Sequence, residues 1–380
     1  MNWPRTLLQA AGRVCGPGAR TAMWQLLEVP ARHAFRRQLA RTPLSPQRAA
    51  PLVNYGGALG GAGLLHGGRV KLTHLAERFP EAPADFNLLY LVSSAPPRFA
   101  PDLVEWAKSR GVKFVWNQNG VAYPAWFGAR SEELNGPMRA LRQQADFIFN
   151  QSEFCRQCAD RFLGPATVPG EIAFNCVDTE HFRPGPAPDT GVCRLLAAGS
   201  HHESYRILAL LEAVAELVRR KFPVQLQLAG RLVWPGAERE VREKIRALGI
   251  VAQVKMGAPY RQEDAPAIYQ AAHILVHLKY QDPCPTVPIE AMACGVAVIG
   301  SRSGGMPELV LPPAGVLIDV PESWEMNHCP APAATADAVE TIMQRWNDFS
   351  AGARSNAVAR FSKTGWLAQH ARVFTALLAS

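Results

Sequence analysis

Two series of short apolar strands alternate with helical segments, divided by the stretch Phe182-Arg183-Pro184-Gly185-Pro186, and this rhythm constrains the chain more than any other feature. Strands separated by helices form parallel sheets covered on both faces, the α/β class. The first series reads as a strand at Pro51 to Tyr55, a glycine-rich loop from Gly56 to Gly63 and a helix from Gly67 to Phe79. Strands at Phe86 to Val92, Val112 to Trp116 and Ala145 to Asn150 follow, with a helix through Leu103 to Ser109. The second series has strands at Arg194 to Ala198, Val224 to Leu228, Val251 to Met256, Ile274 to Leu278, Ala297 to Ile299 and near Val316. Its helices run Arg206 to Arg219, Glu238 to Leu248, Ala265 to Ala272 and around Ile289 to Ala293. The strands end in polar or glycine residues, where open α/β sheets place ligands.

At 380 residues and 48% hydrophobic composition the chain can bury two cores. The pattern divides into a basic extension (1–50), a first domain (51–186), a second domain (187–345) and C-terminal helices (346–380). Pro321 to Ala336 reads as loop, followed by two helical patterns, of which the second, Trp366 to Leu378, is expected to pack back on the first domain.

The net charge of +8 is unevenly placed, since residues 1–50 hold eight arginines, no lysine and one acid, Glu28. With Trp3, Leu7, Leu8, Trp24, Leu26 and Leu27, such a segment suits contact with an anionic membrane. An organelle transit peptide or a loosely docked basic extension has the same composition. No run approaches the roughly 20 apolar residues needed to span a bilayer. The basic excess accompanies no nucleic-acid reading motif, so nucleic acid is not an expected partner. Eight scattered cysteines form no disulfide framework, which fits a cytoplasmic protein, and the Cys155-x-x-Cys158 pair reads as two thiols on a helix begun at Ser152.

The richest local signal is Asp282-Pro283-Cys284-Pro285-Thr286-Val287-Pro288-Ile289-Glu290-Ala291-Met292-Ala293-Cys294-Gly295. Asp282 ends a strand, Pro285 and Thr286 suit a helix start, and Pro288 is tolerated only in a first turn. Free N–H groups in the first turn that opens at Pro285 to Val287 and the positive end of the helix dipole make a seat for a diphosphate. Ile289, Met292 and Ala293 follow core spacing, whereas Glu290 stands off that stripe and is suited to a ribose diol. Asp282 lies across the seat, where it would grip sugar hydroxyls.

This run, with Val296-Ala297-Val298-Ile299-Gly300-Ser301-Arg302-Ser303-Gly304-Gly305-Met306-Pro307-Glu308, resembles the donor-site signature of glycosyltransferase family four. The resemblance implies the GT-B architecture, two Rossmann-like doubly wound domains facing a cleft. It also implies a retaining transfer from a nucleotide-diphosphate sugar to a glycan or lipid-linked acceptor, as in polysaccharide or lipopolysaccharide synthesis. Asp282 replaces the family's usual glutamate. Gly199 is kept, Ser200 stands where an arginine is usual, and Arg206 occupies the place of a phosphate-binding lysine. Asn119, in Trp116-Asn117-Gln118-Asn119-Gly120, falls where a histidine commonly contacts the donor sugar. The base is expected near Met256 to Tyr260, and Gly57, in the first-strand loop, faces the cleft. Asp282, Arg206 and Asn119 are thus the candidate catalytic residues. Glu290, Pro285, Thr286, Val287, Ser200, Gly199, Tyr260 and Gly57 are the candidate donor ligands. No Asp-x-Asp motif occurs, so neither metal nor other cofactor is expected.

Three other readings compete. The glycines from Gly57 to Gly63 match a short-chain reductase loop, but the next strand ends in Ser93-Ser94 without a ribose-binding acid, and no Tyr-x-x-x-Lys follows. An epimerase or phosphorylase of the same fold lacks its cofactor-lysine signature here. A non-catalytic nucleotide-sugar or glycan-binding protein is suggested by the departures at Ser200 and Asn119.

Overall fold

The computed structural model describes residues 17–44, 50–59, 67–189 and 191–379, with side chains of the first helix described from residue 28. In chain order the first unit contains α1 (Pro17–Arg41), β1 (Val53–Asn54), α2 (Gly67–Arg78), β2 (Leu88–Val92), α3 (Ala100–Lys108), β3 (Lys113–Gln118), α4 (Pro124–Phe127), α5 (Ser131–Arg142), β4 (Phe147–Asn150), α6 (Glu153–Leu163) and β5 (Gly170–Ile172). The second contains β6 (Cys193–Ala197), β7 (Ser200–His201), α7 (Tyr205–Arg219), β8 (Val224–Leu228), β9 (Arg231–Leu232), α8 (Ala237–Ala247), β10 (Val254–Met256), α9 (Ala265–Gln270), β11 (Ile274–His277), α10 (Thr286–Ala293), β12 (Ala297–Ser301), α11 (Met306–Leu309) and β13 (Gly315–Ile318). Three helices close the chain: α12 (Pro332–Gln344), α13 (Trp346–Phe361) and α14 (Lys363–Ala379).

Both main sheets are parallel. The first runs β1-β2-β3-β4-β5, and the second β10-β8-β6-β11-β12-β13. The direction of the second sheet reverses between β6 and β11, so the loops after these strands splay apart and open a crevice there. Alternate residues of β2 serve opposite cores: Leu88, Tyr90 and Val92 pack with Leu72 and Leu75 of α2, Leu89 and Leu91 with Leu103 and Val104 of α3. In the second sheet Leu195, Leu226 and Ile274 meet Ile207, Leu210, Leu211 and Val214 of α7, spaced to form one stripe. Leu196, Leu275 and Val298 meet Ile289 and Met292 of α10 and Phe361 of α13. The architecture is GT-B.

Several segments differ from the sequence expectation. Arg32 and Arg36 of the basic extension donate to Asp102 at 2.6 and 2.5 Å, and Leu39 and Leu44 are buried in the core beneath α3. That part of the extension is docked on the first unit. Trp3, Leu7 and Leu8, and the side chains of Trp24, Leu26 and Leu27, lie outside the described residues. Val251 is exposed in a turn, so β10 is shorter than expected. Helix α12 begins at Pro332, inside the expected loop, because proline fits the first helical position. Among the described residues no helix is long and apolar enough to cross a membrane.

The last helix returns to the first unit. Trp366, Val373, Phe374 and Leu378 share a core with Val53, Tyr90 and Phe149, and His370 stacks on Phe149 with ring centres 4.2 Å apart. A second tie crosses between the units at the start of α6, where Glu308 accepts hydrogen bonds from the N–H groups of Glu153 (2.7 Å) and Phe154 (2.8 Å). A carboxylate is favoured at that helix end.

Candidate functional site

A cleft of ≈ 940 Å³ lies between the two units, at the C-terminal ends of the strands. The second unit contributes Gly199, Ser200, Arg206, Asp282, Pro285, Thr286 and Val287 to its wall, and the first contributes Asn119. Seven of the expected donor-site residues and one from the first unit are thereby brought together. Glu290, Tyr260 and Gly57 do not line it. Gly57 donates its N–H to Glu81, and Gly60 to Gly63 of its loop lie outside the described residues.

The anion seat is built by three segments. Helix α10 starts with Pro285 as its cap and aims its first turn at the cleft. An α-helix cannot pair its first N–H groups internally, and Pro288 has none, so Thr286 and Val287 offer theirs to a ligand. The loop after β6 approaches the loop after β8 so closely that a Cβ on Gly230 would lie 2.0 Å from the Gly199 carbonyl oxygen. Both glycines have positive φ, +101° and +105° for Gly199 and Gly230. This contact, fixed by the β7–β9 pairing of Ser200 with Arg231, carries a second guanidinium into the cleft. Arg206 donates to the Ser200 carbonyl at 2.7 Å and Arg231 to the Ser200 hydroxyl at 3.3 Å. Arg206 is buried, which lowers its pKa, and Arg231 is half-buried. Sequence reading missed Arg231, although its Gly-Arg pair repeats at the end of β8 what Gly199-Ser200 lacks after β6.

Asp282 is buried against Lys279 (3.0 Å), with His277 Nε2 at 3.4 Å. Burial would push its carboxyl up, but Lys279 and His277 outweigh burial and hold it well below the usual range. His277, by contrast, is pushed down by burial, against the pull of Asp282. The Lys279 ammonium also sits 4.5 Å from the Trp126 ring centre. Lys279 and His277 both line the cleft, and their positions three and five residues before Asp282 were the available signal.

Asn119 is fixed from both ends. Its carbonyl oxygen accepts from Lys71 at 2.6 Å and its amide donates to Ser94 at 2.6 Å. Lys71 also donates to Asn117 and Gln151, at 3.0 and 3.1 Å. With burial and no carboxylate among these partners, its pKa falls to about 8. Lys71 was not foreseen, because a single lysine on a helix ordinarily faces water. Cys155 donates its thiol to the Asn119 carbonyl and so ties the same loop; burial pushes it up to about 12, which suits structure rather than redox chemistry.

Glu290 is buried behind the cleft wall, accepting from Tyr269 Oη at 2.7 Å and Gln262 Nε2 at 2.6 Å, and burial raises its pKa. Tyr260 interacts with Glu290, Tyr269 and the Gly199 backbone. Gln262 is exposed and can swing away, whereas Tyr269 is fixed in the core. The carboxylate is therefore one side-chain rotation from being available to a diol.

Residues 179–328 match the family model for glycosyl transferases group 1. Curated relatives include D-inositol 3-phosphate glycosyltransferase of Segniliparus rotundus, 32% identical over 120 residues, covering 30% of this chain and 27% of the relative. D-inositol 3-phosphate glycosyltransferase 2 of Catenulispora acidiphila is 30% identical over 210 residues, covering 50% and 46%. The matches thus span less than half the length of these relatives. Among solved structures, HepE of Anabaena in complex with UDP and glucose superposes with a TM-score of 0.63 at 17% identity, covering 81% of this chain and 80% of that one. Sucrose-phosphate synthase of Thermosynechococcus elongatus gives 0.68 at 18% identity, covering 89% and 100%.

Proposed function

We propose, from the match of residues 179–328 to the glycosyl transferases group 1, that the chain is a member of that family and a retaining enzyme that moves a sugar from a nucleotide diphosphate to an acceptor hydroxyl. The observation that carries this reading is the anion seat: two guanidiniums and a helix N-terminus converge on one cleft wall beside the Asp282 carboxylate. A donor diphosphate would lie on Arg206, Arg231 and the N–H groups of Thr286 and Val287. Its sugar would face Asp282 and Asn119. Its ribose would take the place of Gln262 on Glu290, with the base beside Tyr260. Uridine nucleotides are the first to test, because HepE was crystallised with UDP and with UDP-glucose.

In the proposed reaction the acceptor hydroxyl approaches the anomeric carbon on the face held by the leaving diphosphate. The bond from that carbon to the acceptor oxygen forms as the bond to the phosphate oxygen breaks, and a phosphate oxygen takes the acceptor proton. Charge developing on the diphosphate is met by fixed donors that need no reorganisation. The Lys71-Asn119-Ser94 chain contributes by holding the Asn119 amide in place at the cleft wall. Metal and other cofactors have no step in this proposal. We propose a glycan or lipid-linked acceptor in the cytoplasm, with peripheral contact to an anionic inner membrane face through residues 1–50. The relatives are named D-inositol 3-phosphate glycosyltransferases, which makes D-inositol 3-phosphate a further acceptor to assay.

The test is a melting-temperature screen with UDP and UDP-sugars, followed by a radiolabelled transfer assay. Binding at about 100 times the dissociation constant adds roughly 2.7 kcal/mol of stability. A shift that Arg206→Ala removes, with transfer to an acceptor and an unchanged anomeric configuration in the product, upholds the proposal. A shift without turnover of any donor would move the non-catalytic reading forward.

A further inference from the structure

A second chamber of ≈ 420 Å³ opens from the donor cleft and shares Ser200, His202, Arg206 and Lys279 with it. Its remaining lining is Trp126 and Phe127 from the first unit and Glu203 from the second. The aromatic side is held rigidly. Trp126 packs on Tyr123 with ring centres 4.9 Å apart and lies under the Lys279 ammonium. The segment after β13 crosses over to fix α4, the Trp324 carbonyl accepting from the Ala125 N–H at 2.8 Å and Asn327 donating to the Ala125 carbonyl at 3.1 Å. Phe127 is nonetheless 45% exposed, a large ring left facing outward beside a cavity.

The polar side is as informative. Glu203 is half-buried and has no ion pair among the described residues; its hydrogen bond from Asn327 is a long one, 3.4 Å. Lys279 pairs with Asp282 and Arg206 rests on Ser200, so both attract Glu203 from a distance without bonding it. The chamber therefore offers the open Phe127 face, bordered by Trp126, and a carboxylate with spare acceptor capacity. A lipid chain would bury that carboxylate unpaired at high cost, and a phosphate would meet its charge. A pyranose ring suits both features, since it has an apolar C–H face for the aromatics and hydroxyl donors for the carboxylate. The volume falls within the range of roughly 300–1,000 Å³ usual for small-ligand sites.

We infer that this chamber is the acceptor subsite and that it holds one pyranose ring stacked on Phe127, with Trp126 at its edge and a hydroxyl on Glu203. The inference rests on the transferase reading for the word acceptor, because the shared Ser200 and Arg206 put the ring beside the donor diphosphate. Its walls come from both units, so the subsite is complete only when they are together.

The experiment is saturation-transfer NMR on the full chain with methyl α- and β-glucopyranoside, galactopyranoside and mannopyranoside, each with and without UDP, on the parent, Phe127→Ala and Glu203→Ala. The expected result is that at least one glycoside binds the parent and that both variants weaken it by about tenfold or more. UDP melting shifts on every variant report separately on the donor cleft. UDP binding with no glycoside bound, or glycoside binding unaffected by both substitutions, overturns the subsite. Glycoside binding lost in the variants of a chain that ignores UDP keeps the sugar site and overturns the transferase reading.

Discussion

Arg231→Ala is the substitution that tests the anion seat most sharply. Arg231 and Arg206 both rest on Ser200, and in the proposed complex both give charge-assisted hydrogen bonds to the donor diphosphate. Such bonds contribute about 1.5–3 kcal/mol each. Arg231 is half-buried and screened by water, so the lower end applies; Arg206, 9% exposed, belongs at the upper end. At 1.4 kcal/mol per tenfold, Arg231→Ala should weaken UDP about tenfold and Arg206→Ala about 100-fold. Calorimetric titration of UDP reads both numbers, with the ligand-free melting temperature confirming that each variant folds. The decisive measurement is Ser200→Arg added to Arg231→Ala. If the seat needs a second guanidinium and is indifferent to which loop brings it, the double variant should regain affinity to within a few fold of the parent. Parent-like UDP affinity in Arg231→Ala would refute the reasoning, and Arg231 would then be only a prop for the Ser200 loop.

Gln262→Ala should strengthen or preserve UDP binding, because it clears Glu290, whereas Glu290→Ala should abolish the UDP melting shift; a Gln262→Ala that loses UDP would remove the proposed ribose site. Lys279→Met should move acid unfolding to higher pH, followed by tryptophan fluorescence. The sign follows from Asp282, whose carboxyl is held down by Lys279 and His277, so that its contribution is present above its unfolded value of 3.8 and lost as pH falls through the folded one. Without Lys279, burial dominates and that loss begins earlier; an unchanged acid midpoint would contradict this. Lys71, lowered to about 8 from 10.5, binds fewer protons folded than unfolded in that window, so its effect on stability rises with pH between those values. The difference in unfolding free energy between parent and Lys71→Met, measured by urea titration at pH 7 and pH 10, should therefore shift in the parent's favour at the higher pH, and equal differences would refute it.

The second unit was legible because its strands are apolar runs of four or five residues and its helices carry clean stripes, as Ile207, Leu210, Leu211 and Val214 do on α7. Helix α5 was not legible, because Gly136-Pro137 interrupts its pattern, nor was β5, a three-residue edge strand that starts at Gly170. At the site, the residues from Asp282 to Glu290 were readable from helix-start chemistry alone. On the opposite wall only Asn119 was legible, through the family resemblance, since Lys71 and Gln151 meet it only through the parallel register of two strands and a helix. Arg231 escaped for the same reason: its reach into the cleft depends on two glycines touching backbone to backbone. The occupied carboxylate of Glu290 is a further fact that no spacing could reveal.

The return of α14 to the first unit has a consequence for how the chain is made. The core around Tyr90 and Phe149 lacks Trp366, His370 and Phe374 until the end of the chain has been synthesised. At about 5–20 residues per second, the roughly 190 residues after position 186 take on the order of 10–40 s to emerge. Through that interval one face of the first sheet stands open, and the second unit, whose cores draw on Val177 and Phe182 before it and on Ala353, Ala357 and Phe361 of α13, closes only shortly before the first. The half made first is thus the last to complete its core, and the nascent first half is the stretch that a cell's chaperones would have to shield.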